Sequence, residues 1–108
     1  MNIILKEILT TLEKSIPLSY QEDYDNSGLQ VGSTSQEITS VLISLDITSN
    51  IIDEAIKNKC NLVISHHPLI FSPLKKITSN NIIGEIITKA IQNNIALYSI
   101  HTNLDNSY

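Results

Sequence analysis

Hydrophobic residues occur along this chain in two alternating patterns, stripes at helical spacing and short unbroken runs. Ile4, Ile8, Leu12 and Ile16, with Leu5 and Leu9 beside them, mark one face of a helix predicted over 3–16, which Pro17 stops. Val41-Leu42-Ile43-Ser44-Leu45 is a continuous run of strand length. Behind it Thr48, Ser49 and Asn50 offer N-caps for a helix over about 50–59, with Ile51, Ile52, Ala55 and Ile56 inward. Lys57 and Lys59 sit near its C-terminal end, where the helix dipole favours cations. A second strand is predicted at 62–65, followed by a long loop over 66–79 that holds Pro68 and Pro73. A third helix, about 81–93, is expected to bury Ile82, Ile83, Ile86, Ile87, Ala90 and Ile91, and a third strand occupies 96–100.

This alternation of near-continuous apolar strands with amphipathic helices predicts an α/β fold, a parallel or mostly parallel sheet flanked by helices. Between the first helix and the first strand lies a polar, turn-rich segment over 19–32, in which Leu29-Gln30-Val31 has room for only a brief strand. Three residues follow Asp105, so no helix is expected to return over the last strand, which should expose apolar surface. The chain reads as an incomplete part of a larger fold, prone to aggregate without another segment beside it.

At 108 residues this is one small domain or part of one. Seven lysines, no arginine and eleven acids give a net charge of −4, and no basic cluster exceeds Lys75-Lys76, so a nucleic-acid partner is not expected. The single thiol, Cys60, cannot form an internal disulfide and suits a small buried position in a reducing compartment. The N-terminus lacks the layout of a signal peptide, and no apolar run approaches the roughly 18 residues of a membrane span. A soluble, cytoplasmic protein without a membrane partner is expected.

The chemistry lies at the strand ends. All three histidines fall there: His66-His67 closes the run Leu62-Val63-Ile64-Ser65, and His101 follows Ala96-Leu97-Tyr98-Ser99-Ile100, with Asp105 four residues on. In open parallel sheets ligands bind beyond the carboxyl ends of the strands, where Asp46, His66-His67 and His101 with Asp105 would converge. Imidazole and carboxylate together suit zinc, iron, manganese or nickel, and the lack of thiolates argues against a structural zinc knuckle. Successive strand side chains point to opposite faces, so adjacent histidines splayed at a strand end would serve two ions, with Asp105 as a bridge and the metals roughly 3.5–4 Å apart. Pro68 biases His67 toward an extended conformation that would hold this geometry. Taken singly, a strand-end histidine is usually a hydrogen-bonded group, Asp46 could simply cap the next helix, and Asp25-Asn26-Ser27-Gly28 could be only a turn.

The segments Asp25-Asn26-Ser27-Gly28-Leu29-Gln30-Val31-Gly32, Leu45-Asp46-Ile47-Thr48, Ser65-His66-His67-Pro68-Leu69-Ile70-Phe71 and His101-Thr102-Asn103-Leu104-Asp105 resemble, in order and spacing, the GTP cyclohydrolase I type 2 family, also called Nif-three-like or YbgI-like. The resemblance spans essentially the whole chain but only the N-terminal part of a family member, so residues 1–108 would be the N-terminal portion of a dinuclear-metal domain whose C-terminal portion is missing. It implies that His66, His67 and Asp105 are ligands of two divalent ions (zinc, iron or manganese), that His101 lies close by as a candidate proton shuttle, and that a histidine and a glutamate from the C-terminal part complete the site. Tyr24 stands where the family often has tryptophan.

The family name implies a metal-dependent hydrolase that converts GTP to dihydroneopterin triphosphate, assembled as a ring-like homohexamer. This chain alone would then be inactive. A rival expectation is a metal-binding, ring-forming scaffold or interaction protein without GTP turnover. No phosphate-binding loop of the G-x-x-x-x-G-K-[ST] type occurs in the chain, so triphosphate recognition would come from elsewhere.

Overall fold

The three apolar runs form three adjacent parallel strands in the computed structural model, which describes residues 3–106. In chain order the elements are β1 (Ile3–Ile4), α1 (Leu5–Ser15), a 3-10 turn (Leu18–Tyr20), β2 (Gly28–Val31), β3 (Glu37–Ile38), β4 (Val41–Ser44), α2 (Ser49–Lys57), β5 (Leu62–Ser65), α3 (Ile82–Gln92), β6 (Ala96–Ser99) and α4 (Thr102–Asp105). The main sheet has the order β2-β6-β5-β4, with β2 antiparallel to β6, and β1 pairs antiparallel with β3 in a separate two-stranded sheet. The architecture is α/β with a mixed, mostly parallel sheet, as the pattern predicts.

Helices cover both faces of the central strands β5 and β6. On one side Leu5 and Leu9 of α1 pack with Ile38 against Leu62, Ala96 and Tyr98. On the other, Ile52 and Ala55 of α2 and Ile86 and Ala90 of α3 pack against Val63 and Leu97. Helix starts follow the capping chemistry: Thr48 accepts a hydrogen bond from the Ile51 N–H, and Asn81 accepts one from the Gly84 N–H. Gly84 has a second duty, since a Cβ there would lie 2.1 Å from the Thr78 carbonyl oxygen and 2.8 Å from its nitrogen, so only glycine lets the 66–79 loop press onto α3. No helix among the described residues is long and apolar enough to cross a membrane.

Several expectations are corrected here. The last strand does not expose its apolar surface. β6 is interior to the sheet, and Ala96, Leu97 and Tyr98 are fully buried because β2 lies along its outer edge and α1 covers its face. The exposed apolar stripe belongs to the edge strand β4 and the residue after it, where Val41, Ile43 and Leu45 are 41%, 77% and 60% exposed. Helix α1 begins at Leu5 rather than residue 3, because Ile3 and Ile4 pair with Ile38 and Glu37. Ile82 and Ile91 are exposed rather than buried: Ile82 is the first residue of α3, a turn before the buried Ile86, and Ile91 is about 140° around the helix from Ile86. Ile56 on α2 is likewise exposed.

Candidate metal centre

Ser44, Ser65 and Ser99 occupy one register row across the three parallel strands, and Gly28 of β2 continues that row on the far side of Ser99. Two residues beyond each serine stands a residue with metal or proton chemistry: Asp46, His67 and His101. The Ser44 hydroxyl donates to the Asp46 carbonyl at 2.8 Å, and the Ser65 hydroxyl to the His67 carbonyl at 2.7 Å, which ties the start of each loop back onto its strand. The buried Ser99 hydroxyl has no partner among the described residues. Backbone pairing runs on past the strands, with His66 N–H donating to the Ser44 carbonyl and His67 N–H to that of Leu45. Strand ends in one register row therefore bring the three loops together at one edge of the sheet.

There the histidines meet. Ring centroids are 5.1 Å apart for His66 and His67, 5.1 Å for His66 and His101, and 5.4 Å for His67 and His101. One ligand nitrogen from each lies within 4.8 Å of the others. Two nitrogens on one tetrahedral zinc ion are separated by about 3.4 Å, given bonds of about 2.0–2.1 Å, so the triad is within side-chain adjustment of holding a cation. His66 and His67 face the same space because β5 ends at Ser65 and both lie in the bend that follows, where strand alternation no longer applies.

Each ring is held by its Nδ1. His66 Nδ1 lies 2.9 Å from the Ile100 carbonyl, His67 Nδ1 lies 2.6 Å from Asp46 Oδ1, and His101 Nδ1 lies 3.1 Å from Asp25 Oδ1. A carbonyl or carboxylate oxygen can only accept, so Nδ1 is the donor in every case and the Nε2 lone pair of the neutral ring is left free. A donor anchored by its second nitrogen is the arrangement found in histidine metal sites. The donor set therefore fits a divalent transition metal. Asp105, on α4, lies outside the triad but beside it, with Oδ1 3.8 Å from His66 Nε2 and a half-exposed carboxylate.

Two groups for which the sequence kept a cap and a turn open as alternatives are tied to the histidines. Asp46 does not cap α2, a place Thr48 fills, and its carboxylate holds His67 instead. The Asp25 side chain is wholly buried. Its Oδ2 accepts from the Thr102 N–H at 2.9 Å, the Thr102 hydroxyl and the Ser27 hydroxyl, and its Oδ1 accepts from the Asn26 N–H and His101. Burial would raise this carboxyl's pKa, but the Thr102, His101 and Asn26 donors outweigh it and hold it well below the usual carboxylate range. Asn103 is also buried, accepts from the His101 N–H at 2.9 Å and donates to the Ile16 carbonyl, so α4 is fastened to the end of α1.

The same chain shares 43% identity over 105 residues with a GTP cyclohydrolase 1 type 2 homolog from Clostridium acetobutylicum, covering 97% of this chain and 39% of that protein. Among solved structures, a Bacillus cereus protein related to NIF3 superposes with a TM-score of 0.91 at 42% identity, over 97% of this chain and 29% of that one. A hypothetical protein from Staphylococcus aureus gives 0.93 at 41% identity, over 97% and 35%. The chain thus spans about a third of the length of the proteins it matches. A family model for Duf34/NIF3 (NGG1p interacting factor 3) matches residues 3–108, and the chain belongs to that family.

Proposed function

We propose that this chain supplies the histidine-rich half of a dinuclear metal centre in a metal-dependent hydrolase, a GTP cyclohydrolase that forms dihydroneopterin triphosphate. The observation that carries the reading is the triad of histidines, each anchored through Nδ1 with Nε2 free. The name of the Clostridium acetobutylicum relative supports GTP as the substrate. His66, His67 and Asp105 hold the ions, two divalent cations of the zinc, iron or manganese class. Such ions lower the pKa of water and polarise an acceptor oxygen. His101 takes the proton of the attacking water at Nε2, and the ionised Asp25 behind it stabilises the resulting imidazolium. Asp46 keeps His67 turned toward the centre. The remaining ligands, the triphosphate contacts and a homohexameric ring come from the part of the family's length that lies outside this chain. The chain by itself binds metal weakly and turns nothing over.

The test places this segment, intact or as His67→Ala, in front of the C-terminal remainder of the Clostridium acetobutylicum relative and follows GTP by chromatography. GTP consumption that requires added divalent metal and vanishes in His67→Ala is expected. Metal-loaded protein that leaves GTP and other nucleotides unchanged would instead support a metal-binding scaffold.

A further inference from the structure

We propose that Asp25 is a positioning residue that decides which nitrogen of His101 faces the metal centre, an inference that rests on the reading of this cluster as a metal site. Taking up a cation or a proton at Nε2 requires a lone pair there, and the imidazole can keep it only while its proton sits on Nδ1. The group that keeps it there is Asp25, seventy-six residues away in sequence and 3.1 Å away in space. Its side chain has no solvent exposure, so water cannot substitute for it.

The carboxylate cannot turn away from this duty. Oδ2 is pinned by the Thr102 N–H, the Thr102 hydroxyl and the Ser27 hydroxyl, which leaves Oδ1 to accept from His101 and the Asn26 N–H. Ser27 also accepts from the His101 N–H at 3.2 Å, so the same loop fixes the backbone and the ring of His101. Positive φ at Gly28, +113°, lets the chain leave this loop directly into β2 opposite Ser99, beneath the site.

An isosteric substitution at Asp25 has an unusual consequence. In Asp25→Asn the carbonyl oxygen stays with the three donors on the Oδ2 side, and the NH2 takes the Oδ1 side. There it meets two groups: the Asn26 N–H, which loses its acceptor, and His101 Nδ1, which can then only accept. The ring proton moves to Nε2, and the lone pair is withdrawn from the metal centre.

Long-range proton–nitrogen NMR of histidine-labelled, metal-free protein at about pH 9, above the ordinary imidazole range, reads this directly. Wild type is expected to show His101 with a protonated Nδ1 and a bare Nε2, and Asp25→Asn to show the two signals exchanged. Asp46→Asn serves as the control, perturbing His67 and leaving His101 as in wild type. A wild-type His101 protonated at Nε2 would overturn the proposal whether or not the variant folds, as would an Asp25→Asn chain that folds and keeps the wild-type tautomer. Because no metal or substrate is present, a negative result strikes the role of Asp25 without touching the hydrolase reading, and a failed turnover assay leaves the tautomer result standing.

Discussion

At the scale of single residues, the chemistry depends on acceptors that hold donors in place. Histidine is informative in a sequence because its imidazole is a common metal ligand, whereas aspartate has many uses. The sequence accordingly revealed the three histidines, left Asp25 in a segment that could be only a turn, and placed Asp46 at the same sheet edge with a helix cap as the alternative. The partners of these two aspartates lie 76 and 21 residues away, so nothing local distinguishes them. The serine row was legible in principle, since Ser44-Leu45-Asp46, Ser65-His66-His67 and Ser99-Ile100-His101 each follow an apolar run. The buried carboxylate also makes a stability prediction. Its folded-state pKa is depressed, so the stabilisation is fully present above the ordinary aspartate value of about 3.9 and is lost as pH falls through that value toward the lower folded one. Urea unfolding between pH 7 and 3 should show a shallower acid loss in Asp25→Asn than in wild type. Identical slopes would mean that the hydrogen-bonded carboxylate contributes nothing.

At the scale of elements, the long runs and stripes were readable because helix and strand periodicities are local. The antiparallel β2 was legible as a brief strand at Leu29-Gln30-Val31, but its pairing was not, because Gly28–Val31 is four residues among turn formers and takes its place from β6 far along the chain. That pairing, together with α1, converts the last strand from an edge into the core. Tyr98 joins these pieces: it is fully buried, and its hydroxyl donates to Glu13 Oε2 at 2.8 Å. Burial and the neighbouring Glu13 carboxylate push its phenol pKa well up, so the hydroxyl stays a donor throughout the working pH range. Tyr98→Phe keeps the ring and removes the bond, which should cost about 1 kcal/mol, or roughly 5 °C in Tm by calorimetry. An unchanged Tm would show that the bond is replaced by water at no cost. Gly84→Ala should be worse, at about 1–3 kcal/mol, because its methyl meets the backbone of Thr78 rather than a movable side chain. A neutral Gly84→Ala would show that the loop yields freely.

At the scale of the whole molecule, the sheet ends at β2 on one side and at β4 on the other. Ile43, 77% exposed, lies between Val41 and Leu45 on this open edge strand, the kind of surface through which chains associate. Ile43→Lys should reduce light scattering at high concentration while leaving the unfolding midpoint nearly unchanged, and equal scattering from both proteins would place the sticky surface elsewhere. The candidate metal centre sits at the carboxyl ends of β4, β5 and β6, where three loops converge. The claim on which the account depends is that His66 and His67 offer Nε2 to a cation there. Zinc added to histidine-labelled protein, followed by long-range proton–nitrogen NMR, tests it most directly: the account predicts that the Nε2 signals of His66 and His67 move together while both Nδ1 signals keep their protonated positions, and zinc binding that leaves these Nε2 signals in place, or that shifts Nδ1 instead, would contradict it.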